Sequence, residues 1–284
     1  MIARKMILPL VPCVRRALRA LLLVLLFVHA LPGAVFGQTD PNAGPDAPRL
    51  NQPGKDVQWV PTPGPLVDKM LDLAGVGPND RTVDLGSGDG VLVIAAAKRG
   101  ARARGIEYDP KLVEYSRRNA RAAGVAGRTR FDRGDIFETD FSDATVVTTF
   151  LLPSMNFRLR PRFLAMKPGT RIVANTFGIG DWQADETTTI EPCERWCTAM
   201  LWIVPARAGG TWRTPHGELV LTQRYQMLTG TLAGAAATGR LRGAAVSLTV
   251  GSTTYAGEVD GDRMRVRAMP DGRLEEWRVR QPPR

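Results

Sequence analysis

The chain has 284 residues, 44% of them apolar and 23% charged, which is the balance of a globular protein with one or two domains. Its formal charge of +10 is uneven: Arg4, Lys5, Arg15, Arg16 and Arg19 precede any acid, and the remainder interleaves both signs. A mixed surface of that kind argues against a nucleic-acid partner.

Residues 20–31, ALLLVLLFVHAL, carry no ionised side chain. As a helix they would span about 18 Å, short of a hydrocarbon core of about 30 Å. Basic residues, a short apolar run and then small residues predict a signal peptide or membrane anchor over 1–37. The positive flank stays in the cytoplasm, so the body is expected to be exported, either periplasmic or membrane-anchored. Residues 38–57 are rich in Pro, Asp, Asn and Gly and read as a linker without secondary structure.

From residue 58 strands and helices alternate. PLVDKMLDLAGV has the spacing of an apolar helical face, TVDLG is a short buried strand, and VLVIAAAKRG is a helix ended by Gly100. RARGIEYD is the next strand, and PKLVEYSRRNARAAG is a helix opened by Pro110. TRFDRGD and ATVVTTFLL are strands, PSMNFRLRPRFLAM a helix and TRIVANTF a fifth strand. TTTIEPC and AMLWIVP pair antiparallel across a short turn. This grammar predicts an α/β domain over 58–206, a largely parallel sheet with helices on both faces. Residues 207–284 carry only alternating strands and turn glycines, which predicts a small antiparallel all-β domain, a sandwich or a barrel.

Cys193 and Cys197 can bridge a turn in an oxidising compartment. With His216 the only histidine beyond the apolar run, no zinc site and no histidine-dependent triad is expected.

VDLGSGDG, residues 83–90, is a strand running into a glycine turn that opens a helix, the build of a nucleotide site. A dinucleotide fingerprint would need glycine where Val91 stands. Asp84 disfavours a pyrophosphate and favours a ligand bearing an ammonium group, such as the methionine part of S-adenosylmethionine (SAM). Gly86, Ser87, Gly88, Asp89 and Gly90 form the loop. Glu107, ending the second strand, is placed to accept both ribose hydroxyls. Asp135, after the third, is placed to accept from the adenine amino group, with Ile136 covering the ring.

Together these motifs resemble the class I SAM-dependent methyltransferases. VPTPGPLVDKML, VDLGSGDG, GIEYDP, ATVVTTFLLP and GTRIV are similar to the group containing the lysine methyltransferases of ATP synthase c-subunit and adenine nucleotide translocase, with their bacterial relatives. The resemblance covers about residues 58–205 and not the β tail. It implies a seven-stranded Rossmann-like sheet with an antiparallel last strand, SAM as cofactor and a protein lysine ε-amine as acceptor. It also implies an acceptor-side motif at Phe150, Leu151, Leu152 and Pro153 that positions and does no proton chemistry. The family often has tyrosine where this chain has Phe150, which removes the phenol there. Pro61, Thr62 and Pro63 either line the acceptor channel or form a rigid bend. Two alternatives stand beside this reading, a small-molecule methyltransferase and a non-catalytic exported nucleoside-binding module. The second is prompted by a conflict: SAM is made in the cytosol, and the N-terminus argues for export.

Overall fold

The computed structural model describes residues 47–280. The signal or anchor expected over 1–37, and the linker up to residue 46, lie outside the described residues. Seven strands form one sheet: β1 (Arg81–Leu85), β2 (Arg102–Glu107), β3 (Thr129–Arg133), β4 (Val146–Thr149), β5 (Arg171–Asn175), β6 (Glu186–Thr189) and β7 (Thr198–Ile203). Their spatial order is β3-β2-β1-β4-β5-β7-β6. The first five run parallel, and β7 is antiparallel to both β5 and β6. The order reverses at β1, between β2 and β4, which opens a crevice at the carboxyl ends of these strands.

Among the described residues the α-helices are α1 (Gly64–Leu73), α2 (Val91–Lys98), α3 (Pro110–Ala122) and α4 (Pro153–Leu164). Each starts where the sequence offers a start. Asp109 caps α3 by accepting from the Lys111 N–H at 2.8 Å, and prolines open α1, α3 and α4.

Neighbouring strand residues point to opposite faces, so the central strands feed two cores. On one face Val146, Val173 and Leu201 pack against Leu66, Met70, Leu92, Val93 and Val113 from α1, α2 and α3. On the other Leu85, Val147, Ile172 and Trp202 pack against Leu159 and Phe163 of α4 and against Trp182. Helices do lie on both faces, but three to one. The second face is completed by the irregular chain around Phe141 and Trp182.

The tail is a closed barrel: β8 (Gly210–Thr214), β9 (Gly217–Arg224), β10 (Met227–Leu232), β11 (Ala235–Arg242), β12 (Ala245–Val250), β13 (Thr253–Asp260), β14 (Arg263–Ala268) and β15 (Leu274–Val279). Successive strands are antiparallel neighbours, and β15 closes on β8 through Val279 and Trp212. Inward residues such as Trp212, Leu219, Leu228, Leu241, Leu248, Met264 and Trp277 fill the interior. At eight strands a barrel is just wide enough to be plugged by its own side chains, so this one has a core and no lumen.

The barrel is welded to the sheet. The buried Trp182 donates its indole N–H to Gln226 Oε1 at 2.9 Å, and Gln226 donates back to the Gln183 carbonyl at 2.8 Å. Tyr225 stacks on Trp182 with centroids 5.8 Å apart, and Arg240 pairs with Asp185 at 2.7 Å.

Candidate active site

The glycine loop leaves β1 at Gly86 and enters α2 after Gly90, with Gly86, Gly88 and Gly90 all left-handed. Space as well as φ excludes side chains. A methyl group on Gly88 would sit 2.6 Å from the Trp59 indole nitrogen, and one on Gly90 2.9 Å from both Phe131 and Ser116. Helix α3 grips the loop from behind. Ser116 Oγ donates to the Gly88 carbonyl at 2.8 Å, and Asn119 Nδ2 to the Asp89 carbonyl at 3.0 Å.

The three expected acids converge on one cleft. Asp84 is buried in β1 and accepts from Thr148 Oγ1 at 2.7 Å. Burial pushes its carboxyl up to about 7; the Thr148 hydrogen bond opposes this, and the charges of Asp89 and Glu107 add to it. Burial also raises Asp89. Glu107 accepts from the Gly88 N–H at 2.9 Å and from the Asp109 N–H at 3.0 Å, one on each oxygen. Each oxygen keeps a second lone pair, so the carboxylate is held rigid yet can still accept two hydroxyls. Asp135 accepts from the Phe137 N–H at 2.8 Å and pairs with Lys55 at 2.5 Å. The lysine hydrogen bond, the largest influence, holds Asp135 below the usual carboxylate range.

Lys55 belongs to the segment expected to be a linker. It has no helix or strand, as anticipated, but it is a wall of the site and not merely a tether. The Asn51 N–H donates to the Trp59 carbonyl at 3.0 Å, and the Trp59 N–H to the Gln52 carbonyl at 2.9 Å. The resulting loop lies across the cleft and lines it from Gln52 to Thr62. Lys55 stands 4.8 Å from the centre of the Tyr108 ring, which makes Asp135, Tyr108 and Lys55 one cluster. The Asp135 position offered to an adenine amino group is thus held by the protein's own ammonium.

Of the acceptor motif, Phe150 and Leu151 line the cleft. Leu152 is the cap residue before α4, and Pro153 is its first turn. Neither lines the cleft, because the chain turns away into the helix, and Met155 supplies the wall in their place. Pro61 and Thr62 line it as well, whereas Pro63 caps α1. Gly90 shapes the loop from behind the lining, while Gly86, Ser87, Gly88, Asp89 and Ile136 reach it. Sequence reasoning missed Trp59, Tyr108, Asp109 and Leu112. Only Tyr108, beside the acid that ends β2, stood at a position that could have drawn attention.

The cleft combines apolar walls with a few convergent polar groups, the build of a small-molecule site. An ammonium-seeking buried acid, a ribose-seeking Glu107, an apolar wall at Ile136 and a buried Ser87 Oγ without a hydrogen-bond partner among the described residues all fit SAM.

A family model described as the ANTKMT methyltransferase domain matches residues 84–186. A protein-lysine N-methyltransferase of Saccharolobus islandicus is 38% identical over 151 residues, covering 52% of this chain and 94% of the relative. The adenine nucleotide translocase lysine N-methyltransferase of Mus musculus is 36% identical over 129 residues, 45% of this chain and 56% of its own length. Among solved structures, an RNA methyltransferase from Salinibacter ruber in complex with S-adenosyl-L-homocysteine aligns with a TM-score of 0.50 and 48% identity, covering 52% of this chain and 96% of that one. The cofactor is S-adenosyl-L-methionine. The chain belongs to the family of SAM-dependent protein-lysine N-methyltransferases.

Proposed function

We propose that the protein transfers a methyl group from SAM to the ε-amine of a lysine in a protein acceptor. The observation that carries this reading is the charge of the cleft. Asp56, Asp84, Asp89, Glu107, Asp109 and Asp135 line it, against Lys55 as the one cation among the described lining residues. The cleft ends in the apolar wall of Phe150, Leu151 and Met155. Carboxylates attract a cationic side chain, and the apolar end strips it of water. A lysine near pKa 10.4 in solution must lose a proton before its nitrogen can attack, and desolvation lowers that pKa.

SAM supplies an electrophilic methyl group on a positively charged sulfur. The protein's share is placement. Asp84 and Glu107 set the donor's position, and Phe150 and Leu151 set the nucleophile's line of approach. Holding reacting atoms about 3 to 3.5 Å apart and aligned accounts for most of such a rate enhancement, without an acid-base pair.

The Salinibacter ruber relative named for RNA favours a second acceptor class. The carboxylates around the cleft oppose a phosphate backbone. Transfer of labelled methyl groups from SAM to envelope proteins and lysine-rich peptides, run beside total RNA, decides between them. Label appearing in RNA and not in protein refutes the lysine reading.

Within this reading, the chemistry is held by the cleft residues, from the Gln52–Thr62 loop to Met155. Export is part of the proposal too. It is supported by the basic and apolar start of the chain and by the Cys193–Cys197 disulfide.

A further inference from the structure

Three aromatic rings meet on the β4–β5 side of the cleft. Phe150, itself a lining residue, lies 5.6 Å from Trp196, edge to face, and 6.3 Å from Phe177, stacked. Phe177 and Trp196 are 5.4 Å apart and tilted. They come from three segments: just after β4, two residues beyond β5, and two residues before β7. All three are half-buried and lie outside the packed cores, and Phe150 is the member of the cluster that lines the cleft.

The backbone is bent to bring them together. Trp196 has φ +59 and Thr176, beside Phe177, has φ +61, a left-handed conformation that bulky and β-branched residues avoid. Such strain persists only where surrounding contacts impose it, and it gathers at functional sites. The contacts are present here. The Thr176 N–H donates to the Thr198 carbonyl at 2.7 Å, and the buried Asn156 donates to the Phe177 carbonyl at 3.0 Å. The Cys193–Cys197 disulfide closes a short loop that contains Trp196.

We propose that Phe150, Phe177 and Trp196 form an aromatic cage for the ammonium head of the acceptor lysine and its methylated forms, with Trp196 held in place by the Cys193–Cys197 bond. This rests on the lysine reading above and adds where the acceptor is gripped. Ring faces attract alkylammonium cations, most strongly when water is excluded. A cage that also holds mono- and dimethyl-lysine favours repeated transfer before release. In each round the nitrogen first gives a proton to water. Its lone pair then forms the N–C bond as the C–S bond breaks toward sulfur.

Choline and its uncharged carbon isostere, in which a tert-butyl group replaces trimethylammonium, test the cage on the full chain without turnover. Choline is expected to bind at least about tenfold tighter than the isostere. Trp196→Ala and Phe177→Leu should each erase that preference, and Trp196→Phe should keep part of it. SAM affinity, followed by calorimetry in the same samples, should move less than about twofold, which also shows that the variants are folded. Reduction of the disulfide should weaken choline binding, and reoxidation should restore it. Equal binding of choline and the isostere, with SAM still bound, overturns the cage and leaves the methyltransferase reading standing. Failure of the wild type to bind SAM overturns that reading itself. A preference for choline that survives reduction overturns the role of the disulfide.

Discussion

Asp84→Asn separates what the buried acid costs the fold from what it gives the cofactor. The Asp84 carboxyl goes from 3.8 in the unfolded chain to about 7 in the folded one. A carboxyl whose folded value is raised binds more protons folded than unfolded. Its penalty is therefore absent below about pH 4 and accumulates as pH rises toward 7. Between pH 5 and pH 8 that share of stability falls by roughly 2 to 3 kcal/mol. Asparagine keeps the Thr148 hydrogen bond and does not ionise, so the variant should gain about 5 to 10 °C over the wild type on going from pH 5 to pH 8. Thermal melts of both proteins without ligand measure this. Parallel pH profiles would show that Asp84 ionises as freely in the folded chain as in water, and would refute the argument.

The same acid behaves oppositely toward the cofactor. An ammonium group beside Asp84 restores its charge, so binding at pH 6, where the ligand's own α-amine is already protonated, should release close to one proton. Calorimetry in buffers of different ionisation enthalpy counts those protons. In the variant the release should vanish. SAM affinity should fall about tenfold to a hundredfold, the worth of a charge-assisted hydrogen bond of roughly 1.5 to 3 kcal/mol.

Glu107→Ala should weaken SAM binding by a similar factor, and because it also frees the Gly88 and Asp109 N–H groups, Glu107→Gln should lose less. Unchanged affinity in the folded alanine variant would remove Glu107 from the site. Lys55→Ala should speed SAM association and make it more sensitive to salt, since no ammonium then has to leave Asp135 and the acidic cleft attracts a cationic ligand more strongly; stopped-flow traces identical to wild type would show that the loop does not gate entry. Gln226→Ala strands the buried Trp182 N–H and the Gln183 carbonyl and should cost about 1 to 3 kcal/mol in a denaturant melt. A loss below about half a kcal/mol would mean that the barrel only leans on the sheet.

The legible parts of this chain are those where local chemistry leaves one solution. Gly88 and Gly90 announce a turn no other residue fits, the Pro110 start and Gly124 end bracket a helix, and paired Gly hairpin turns announce antiparallel strands. Asp84, Glu107 and Asp135 were readable because the strands of a parallel sheet deliver their carboxyl ends to one edge, so order along the chain becomes proximity in space. Lys55 and Trp59 were not, because nothing periodic marks a Pro-rich loop, and its place over the cleft depends on contacts about 30 to 80 residues away. The two domains are also less separable than the change of pattern near residue 206 suggests. Alternation predicts a self-contained barrel core, and Trp212 to Trp277 provide one, but no pattern forecasts that Gln226 would satisfy an indole packed against the sheet. A fragment ending at residue 206 would expose Trp182, so its failure to fold would say nothing about the cofactor site.

The two ends of the cleft suit the movement of charge that the reaction requires. Its acid-lined end, around Asp84 and Glu107, favours a cationic ligand where the donor is held. Its aromatic end, where Phe150 lines the cleft and is backed by Phe177 and Trp196, favours a cation where the acceptor nitrogen sits. Positive charge leaves the first region and appears in the second as the new N–C bond forms. Groups that stabilise charge only where it develops lower the barrier, whereas groups that bind both ends of the reaction equally do not. Ring quadrupoles do this more weakly than a formal charge, so they hold the amine's proton less firmly than a carboxylate would. A carboxylate at Phe150 would raise the lysine pKa and oppose its deprotonation. That is a physical reason for an apolar aromatic cage, rather than a further acid, at the acceptor end of an otherwise acidic cleft.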